Sequence, residues 1–141
     1  MKKSKTILLV EDDKDDQESF IQVISEIENA TLLHIANNGV EALEVLERSE
    51  TLPALIFMDI NMPKMNGLEC LSEIIKNPQT KNIPVVMLTT SIHDAEQVRQ
   101  LGAKAFIKKG SDKILMTQIK GILNIDLLSE NNSEQVFQIG F

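Results

Sequence analysis

Five polar residues stand where short apolar runs of this sequence end. They are Glu11 and Asp12 after the first run, Asp59 at the end of the third, Thr89 after the fourth and Lys109 after the fifth. Three carboxylates without a nearby Cys or well-placed His form a hard-oxygen site, which suits Mg²⁺ completed by phosphate oxygens. A carboxylate beside such a cation can attack phosphorus, while a hydroxyl and an ammonium bind the transferred group.

Each of these residues also has a plainer explanation when it is taken alone. Asp59 could merely start a turn, Thr89 could cap a strand end, and Lys109 could be a solvated lysine. A calcium loop at residues 12–16 is disfavoured because the run lacks the glycine at its sixth position and the glutamate at its twelfth. Their joint occurrence at the ends of apolar runs favours phosphoryl chemistry at Asp59.

The elements that must position these residues alternate regularly along the chain. Buried strands are predicted at Thr6–Val10, Thr31–Ala36, Ala54–Asp59, Ile83–Leu88 and Ala103–Lys108, and a segment with helical spacing follows each of them. This alternation predicts an α/β fold, a doubly wound five-stranded parallel sheet with five helices, flavodoxin-like with strand order 2-1-3-4-5. The carboxyl ends of strands one, three, four and five then lie together at one edge.

Two details of the helices can be compared directly with a structure. The second helix is expected to carry Val40, Leu43 and Leu46 on one face. The fourth is expected to open near Asp94, a good N-cap residue, and to stop at Leu101–Gly102.

Length and composition limit the class of protein. At 141 residues the chain fits one domain, predicted at residues 1–124, with a polar tail at 125–141. Its net charge of −7 argues against binding to nucleic acid or to an anionic membrane. The single Cys70 is expected to be buried and inert. Without an apolar span or a secretory signal before the first strand, the protein is expected to be cytoplasmic.

Four motifs together resemble the receiver domain of two-component response regulators over about residues 5 to 124. They are Val10-Glu11-Asp12, the run from Met58 to Gly67, Leu88-Thr89-Thr90 and Ile107-Lys108-Lys109. The resemblance implies that Asp59 is the phosphoacceptor, with Mg²⁺ as cofactor. It further implies Asp12 as a direct metal ligand, Glu11 as a ligand through water, the Asn61 carbonyl as a third ligand, Thr89 as the switch hydroxyl, Phe106 as the aromatic switch and Lys109 as the phosphate-pairing lysine. Within Glu11-Asp12-Asp13 we take the first two as the metal pair, because an acid at Asp13 suits the start of a helix.

The resemblance also implies a function. We expect a stand-alone, single-domain response regulator that receives a phosphoryl group from a histidine kinase or histidine phosphotransfer protein and is not itself an enzyme. It could instead act as a phosphorelay intermediate. A phosphohydrolase with an aspartyl nucleophile would usually carry a second acid two residues on, where this chain has Asn61. A receiver fold that is never phosphorylated is the third alternative.

The chain departs from the family pattern at two points. Gly110 follows Lys109 where the family usually has proline, so the loop after Lys109 should be more mobile. The interval from Thr89 to Lys109 is also slightly shorter than is usual in the family. This shortens a loop or the fourth helix, which belongs to the face through which receivers usually signal. The apolar tail residues, Val136, Phe137, Ile139 and Phe141, are predicted to dock on the domain or on a neighbouring copy, which leaves a homodimer open.

Overall fold

The computed structural model describes residues 4–90 and 92–124 of the chain. The tail and its predicted docking lie outside these residues. Within them, five strands alternate with five α-helices, and a short 3₁₀ helix precedes the fourth. The elements are β1 (Lys5–Val10), α1 (Lys14–Ser25), β2 (Ala30–Ala36), α2 (Gly39–Arg48), β3 (Leu55–Asp59), α3 (Gly67–Lys76), β4 (Val85–Thr89), the 3₁₀ helix (Ile92–Asp94), α4 (Ala95–Gln100), β5 (Ala105–Lys108) and α5 (Asp112–Leu123).

The five strands form one parallel sheet in the order β2-β1-β3-β4-β5. This confirms the predicted doubly wound fold. Parallel neighbours require crossover helices, and those helices cover both faces of the sheet. β3 lies at the centre, and every residue of β3 and of its neighbour β4 is buried. Asp59 is therefore carried to the carboxyl edge of the sheet by a fully buried central strand.

The helices divide into two layers, each with its own apolar core. Phe20 of α1 and Ile119 of α5 pack in a cluster on one face. Leu46 of α2, Leu71 of α3 and Val98 of α4 pack in a second cluster on the other. Both clusters include alternate residues of the central strands, because successive side chains of a strand point to opposite faces.

Local side chains fix where most helices begin. Asp13 precedes α1 and its carboxylate accepts the backbone N–H of Asp16, so this acid begins the helix as predicted. Asn38 caps α2 in the same way. Asn66 and Glu69 form a reciprocal capping box at α3. These bonds satisfy backbone donors that a helix leaves free in its first turn.

The structure corrects three local predictions. β4 begins at Val85 rather than Ile83, because Pro84 has no N–H to donate to the ladder. β5 begins at Ala105, since the Ala103 N–H closes the end of α4 on the Val98 carbonyl. Val40 is 40% exposed, so it does not share the buried face of α2.

Other predictions agree with the structure. α4 ends before Gly102, whose φ of 104° permits the left-handed turn there. Cys70 lies on α3 and is buried in the hydrophobic core, as expected. No helix in the described part of the chain has the length and apolar character needed to cross a membrane.

Candidate functional site

Asp59 ends β3 and is 6% exposed. The chain then makes a loop and returns so closely that the Gly67 N–H donates to the Ile60 carbonyl at 2.8 Å. A Cβ added at Gly67 would lie 2.2 Å from the Asp59 carbonyl oxygen. Only glycine allows this approach, so the start of α3 fixes the backbone that carries the Asp59 carboxylate.

Two further acids come from the end of β1. Glu11 is buried, and its carboxylate accepts the Asp13 N–H at 3.2 Å on one oxygen and the Lys109 ammonium at 2.8 Å on the other. Asp12 is exposed. One carboxylate oxygen from each of Glu11, Asp12 and Asp59 lies within 4.8 Å of the others. The structure therefore brings together the three carboxylates that the sequence singled out.

Lys109 reaches across this cluster from the residue after β5. Its Nζ lies 2.8 Å from Glu11 Oε1, 2.9 Å from Asp16 Oδ2 and 3.1 Å from Asp59 Oδ1. Its backbone N–H donates to the Thr89 carbonyl at 2.7 Å, which holds the end of β5 against β4. An ammonium has three donors, and here each one has a carboxylate within ion-pair distance.

The electrostatics of the site follow from burial and these contacts. Burial raises the pKa of Glu11 from 4.5 to about 7, against the lowering effect of Lys109. Burial likewise raises the pKa of Asp59, again opposed by Lys109. Burial alone would lower the pKa of Lys109, but its carboxylate partners raise it above the ordinary value. The lysine thus stays charged, and the two buried acids favour any added positive charge.

Thr89 is 1% exposed and its hydroxyl donates to Asp94 Oδ2 at 3.0 Å. α4 begins after Asp94 as predicted, but the Asp94 side chain makes no capping hydrogen bond to that helix. The carboxylate accepts instead from the Thr89 hydroxyl, five residues earlier in the chain. Asp94 therefore links the end of β4 to the start of α4.

The two remaining predicted residues take different positions. Phe106 of β5 pairs with Met87 of β4, and its ring is 1% exposed in the same core cluster as Val98 of α4. Asn61 is exposed in the loop two residues beyond Asp59. Its carbonyl therefore belongs to the backbone that leaves the carboxyl end of the central strand.

Sequence reasoning missed three polar residues at this edge. Asp16 pairs with Lys109. The buried Gln17 side chain donates to the Glu11 carbonyl at 2.6 Å and to Asn37 Oδ1 at 2.9 Å, tying β1 to the loop before α2. Asp16 lies in the first turn of α1, whereas Asp12 precedes the cap residue Asp13 and is not part of the helix. No helical period in the sequence therefore marks Asp16 as a partner of Lys109.

The site donors fit a divalent cation. The oxygens are all hard ligands, and one oxygen from each of the three carboxylates lies within 4.8 Å of the others. The exposed Asp12 leaves the cluster open on one side. Glu11 already has a partner at each carboxylate oxygen, so Asp12 and Asp59 are the acids better placed for direct contact.

Comparison with known proteins agrees with this geometry. Residues 7–131 match the family model described as response regulator receiver domain. The response regulator Rcp1 of Synechocystis sp. is 35% identical over 84% of this chain and 86% of its own length. The CpxR homolog of Haemophilus influenzae, a transcriptional regulatory protein, is 37% identical over 96% of this chain. The chain spans 57% of that relative's length.

Solved structures give the same result. The phosphorylated cyanobacterial phytochrome response regulator RcpA superposes with a TM-score of 0.76 at 33% identity, over 84% of this chain and 91% of that one. The Mn²⁺-bound form of Rcp1 superposes with a TM-score of 0.73 over the same shares. The extent of the family match, together with the carboxylate cluster and the strand order, shows that this chain belongs to the response regulator receiver domain family.

Proposed function

We propose that this chain accepts a phosphoryl group on Asp59 from a histidine kinase or a histidine phosphotransfer protein and thereby changes a partner-binding surface. One observation carries the proposal. A buried carboxylate at the end of the central strand lies 3.1 Å from a lysine ammonium and within 4.8 Å of two further carboxylates. That set supplies a nucleophile, a counter-charge for phosphate and oxygen ligands for a cation.

The cation is proposed to be Mg²⁺, held directly by Asp12, Asp59 and the Asn61 carbonyl, with Glu11 acting through water. The carboxylate donor set supports a divalent ion. The structural relative Rcp1 has been solved with Mn²⁺, an ion with similar oxygen preference. When bound, the cation supplies positive charge that offsets the charge of the phosphoryl oxygens.

Phosphotransfer would proceed at the Asp59 carboxylate. One Asp59 oxygen forms a bond to phosphorus, and the bond from phosphorus to the donor's imidazole nitrogen breaks, so that the nitrogen keeps the electron pair. Lys109 remains charged and is placed to pair with a phosphoryl oxygen. Because Asp59 is held by a buried strand, its oxygens need little reorganisation before attack.

The output is proposed to begin at Thr89. To donate to a phosphoryl oxygen, its hydroxyl must leave Asp94, and that carboxylate borders α4. The Phe106 ring is already packed against the same layer, so its surroundings would respond to a shift of α4. A phosphoryl group adds charge and acceptor oxygens, which is the kind of change that redirects such a hydroxyl.

The same chemistry serves two alternatives. In a phosphorelay, the phosphoryl group would pass on to a second histidine rather than act through the surface. A phosphohydrolase would turn over small phosphate esters, and Asn61 occupies the position where such enzymes usually carry a second acid. We therefore expect single labelling of the chain without turnover of generic esters.

The test is phosphotransfer profiling with histidine kinases of the source organism, together with acetyl phosphate as a small donor. Wild type is expected to gain one phosphoryl group by intact mass, and Asp59→Asn and Asp12→Ala are expected to gain none. Asp15→Asn is the matched control, because it removes one exposed acid from the first turn of α1 without touching the carboxylate cluster. Labelling of Asp59→Asn, or steady turnover of phosphate esters by wild type, would refute the assignment.

A further inference from the structure

We infer that Asp16 is a positioning residue for Lys109. It holds the ammonium over Asp59 from α1 and supplies a constraint that the Gly110 loop does not. The inference rests on the proposed phosphoacceptor function and concerns a residue that the sequence motifs leave out. Its starting point is the ion pair between Lys109 Nζ and Asp16 Oδ2 at 2.9 Å.

Asp16 differs from the other two partners of Lys109. Glu11 and Asp59 are buried and belong to the carboxylate cluster that fits a cation. Asp16 lies outside that cluster, and its side chain is 47% exposed. When a cation and a phosphoryl group engage the cluster, the Asp16 pair is the contact of Lys109 that neither of them needs.

The backbone that carries the Asp16 carboxylate is well anchored. It lies in the first turn of α1, and its backbone N–H donates to the Asp13 carboxylate at 2.9 Å. The next residue, Gln17, is buried and bonded to the Glu11 carbonyl. An acid in the first turn also interacts favourably with the helix dipole. The position of Asp16 is therefore set by the same end of β1 that carries the metal pair.

The Lys109 ammonium is positioned by its three carboxylate partners, because the residue after it brings no side chain to the loop. Gly110 follows Lys109, and a Cβ added at Gly110 would meet only Ile114, at 3.9 Å. A cavity of about 60 Å³ opens between α1 and α5 beside the lysine, and both Asp16 and Asp112 line it. Once the Asp16 contact is lost, this cavity gives the lysine side chain room to move away from Asp59.

The distances show that Asp16 does not draw the ammonium away from the acceptor. Lys109 Nζ contacts Asp16 and Asp59 at the same time, at 2.9 and 3.1 Å. Asp16 thus reduces the freedom of the lysine while the ammonium keeps its contact with Asp59. Preorganisation of this kind strengthens binding of a group that the lysine must pair with.

The experiment compares Asp16→Ala with Asp15→Ala, which removes a neighbouring first-turn acid of equal charge. Beryllofluoride, a phosphoryl mimic, is titrated with Mg²⁺ by calorimetry. Asp16→Ala is expected to weaken its binding about two- to fivefold, the scale of a half-exposed ion pair. Asp15→Ala is expected to bind as wild type does.

A second readout is independent of phosphoryl binding. In the mimic-free protein, the ¹⁵Nζ resonance of Lys109 is expected to be observable in wild type and Asp15→Ala and to broaden in Asp16→Ala, because its ammonium protons exchange faster once the tether is gone. Unchanged or tighter mimic binding in Asp16→Ala, or an unchanged lysine resonance, overturns the inference alone. A wild type that binds no mimic overturns the proposed function and the inference with it.

Discussion

The close approach at Gly67 yields a prediction for both stability and phosphorylation. In Gly67→Ala, the new Cβ would lie 2.2 Å from the Asp59 carbonyl oxygen and 2.8 Å from the Ile60 Cα. The first of these distances is about 1 Å short of an ordinary contact, which starts at 3.4 Å. Both obstacles are backbone atoms of the central strand and its exit, so neither can rotate away.

The overlap must therefore move α3 or the end of β3. Overpacking in a core costs about 1–3 kcal/mol, and rigid obstacles place this case near the upper end. For a domain of this size we expect Tm to fall by about 8–12 °C. Because Asp59 lies on the displaced backbone, labelling by acetyl phosphate should slow as well.

Gly121→Ala is the matched control. Gly121 lies in α5, and a Cβ there would meet nothing within 4 Å. Alanine in a helix is favoured over glycine by about 0.5–1 kcal/mol, so Tm should rise by about 2–4 °C with labelling unchanged. Thermal unfolding by circular dichroism and intact-mass labelling measure both variants. A Gly67→Ala protein that melts at or above the wild-type temperature would show that the close approach carries no cost and would refute the reasoning.

Two further predictions concern the hydrogen bond at Thr89 and the pH dependence of stability. Asp94→Ala removes an acceptor of the Thr89 hydroxyl, so beryllofluoride should bind about two- to tenfold more tightly, as measured by calorimetry. Equal or weaker binding would contradict the proposal that the Thr89 hydroxyl leaves Asp94 to bind the phosphoryl group. Burial raises the pKa of Glu11 to about 7 from 4.5, so the folded state binds more protons than the unfolded state between these values. The free energy of unfolding, measured in EDTA, should thus fall as pH rises through this window. In Glu11→Gln this dependence of the unfolding free energy on pH should be weaker. A rise with pH in wild type would contradict the raised pKa of Glu11.

Much of this architecture was predictable from local patterns. Apolar runs and helical spacing located five strands and five helices, since strands buried on both faces appear as continuous apolar runs and amphipathic helices have a period of 3.6 residues. The same runs placed Asp59 at the end of β3 and Thr89 at the end of β4. Element boundaries were less accurate where a neighbouring element decided them, as at the start of β5, where Ala103 bonds back to α4.

Side-chain partners were not predictable in the same way. Asp94 has the sequence of a helix cap, yet its carboxylate accepts from Thr89 because the end of β4 lies beside it. Lys109 meets Glu11 and Asp16 across 98 and 93 residues of chain. No local period encodes such a contact.

The sequence by itself therefore determined which residue types reach the carboxyl edge of the sheet, because each directly follows a buried strand. The tertiary structure decided which of them touch. Parallel order brings the ends of β1, β3 and β5 within reach of a single lysine, and only then does Asp16, in the first turn of α1, become part of the site. The physical reason is that strand propensity is local, whereas an ion pair depends on how crossovers place distant ends in space.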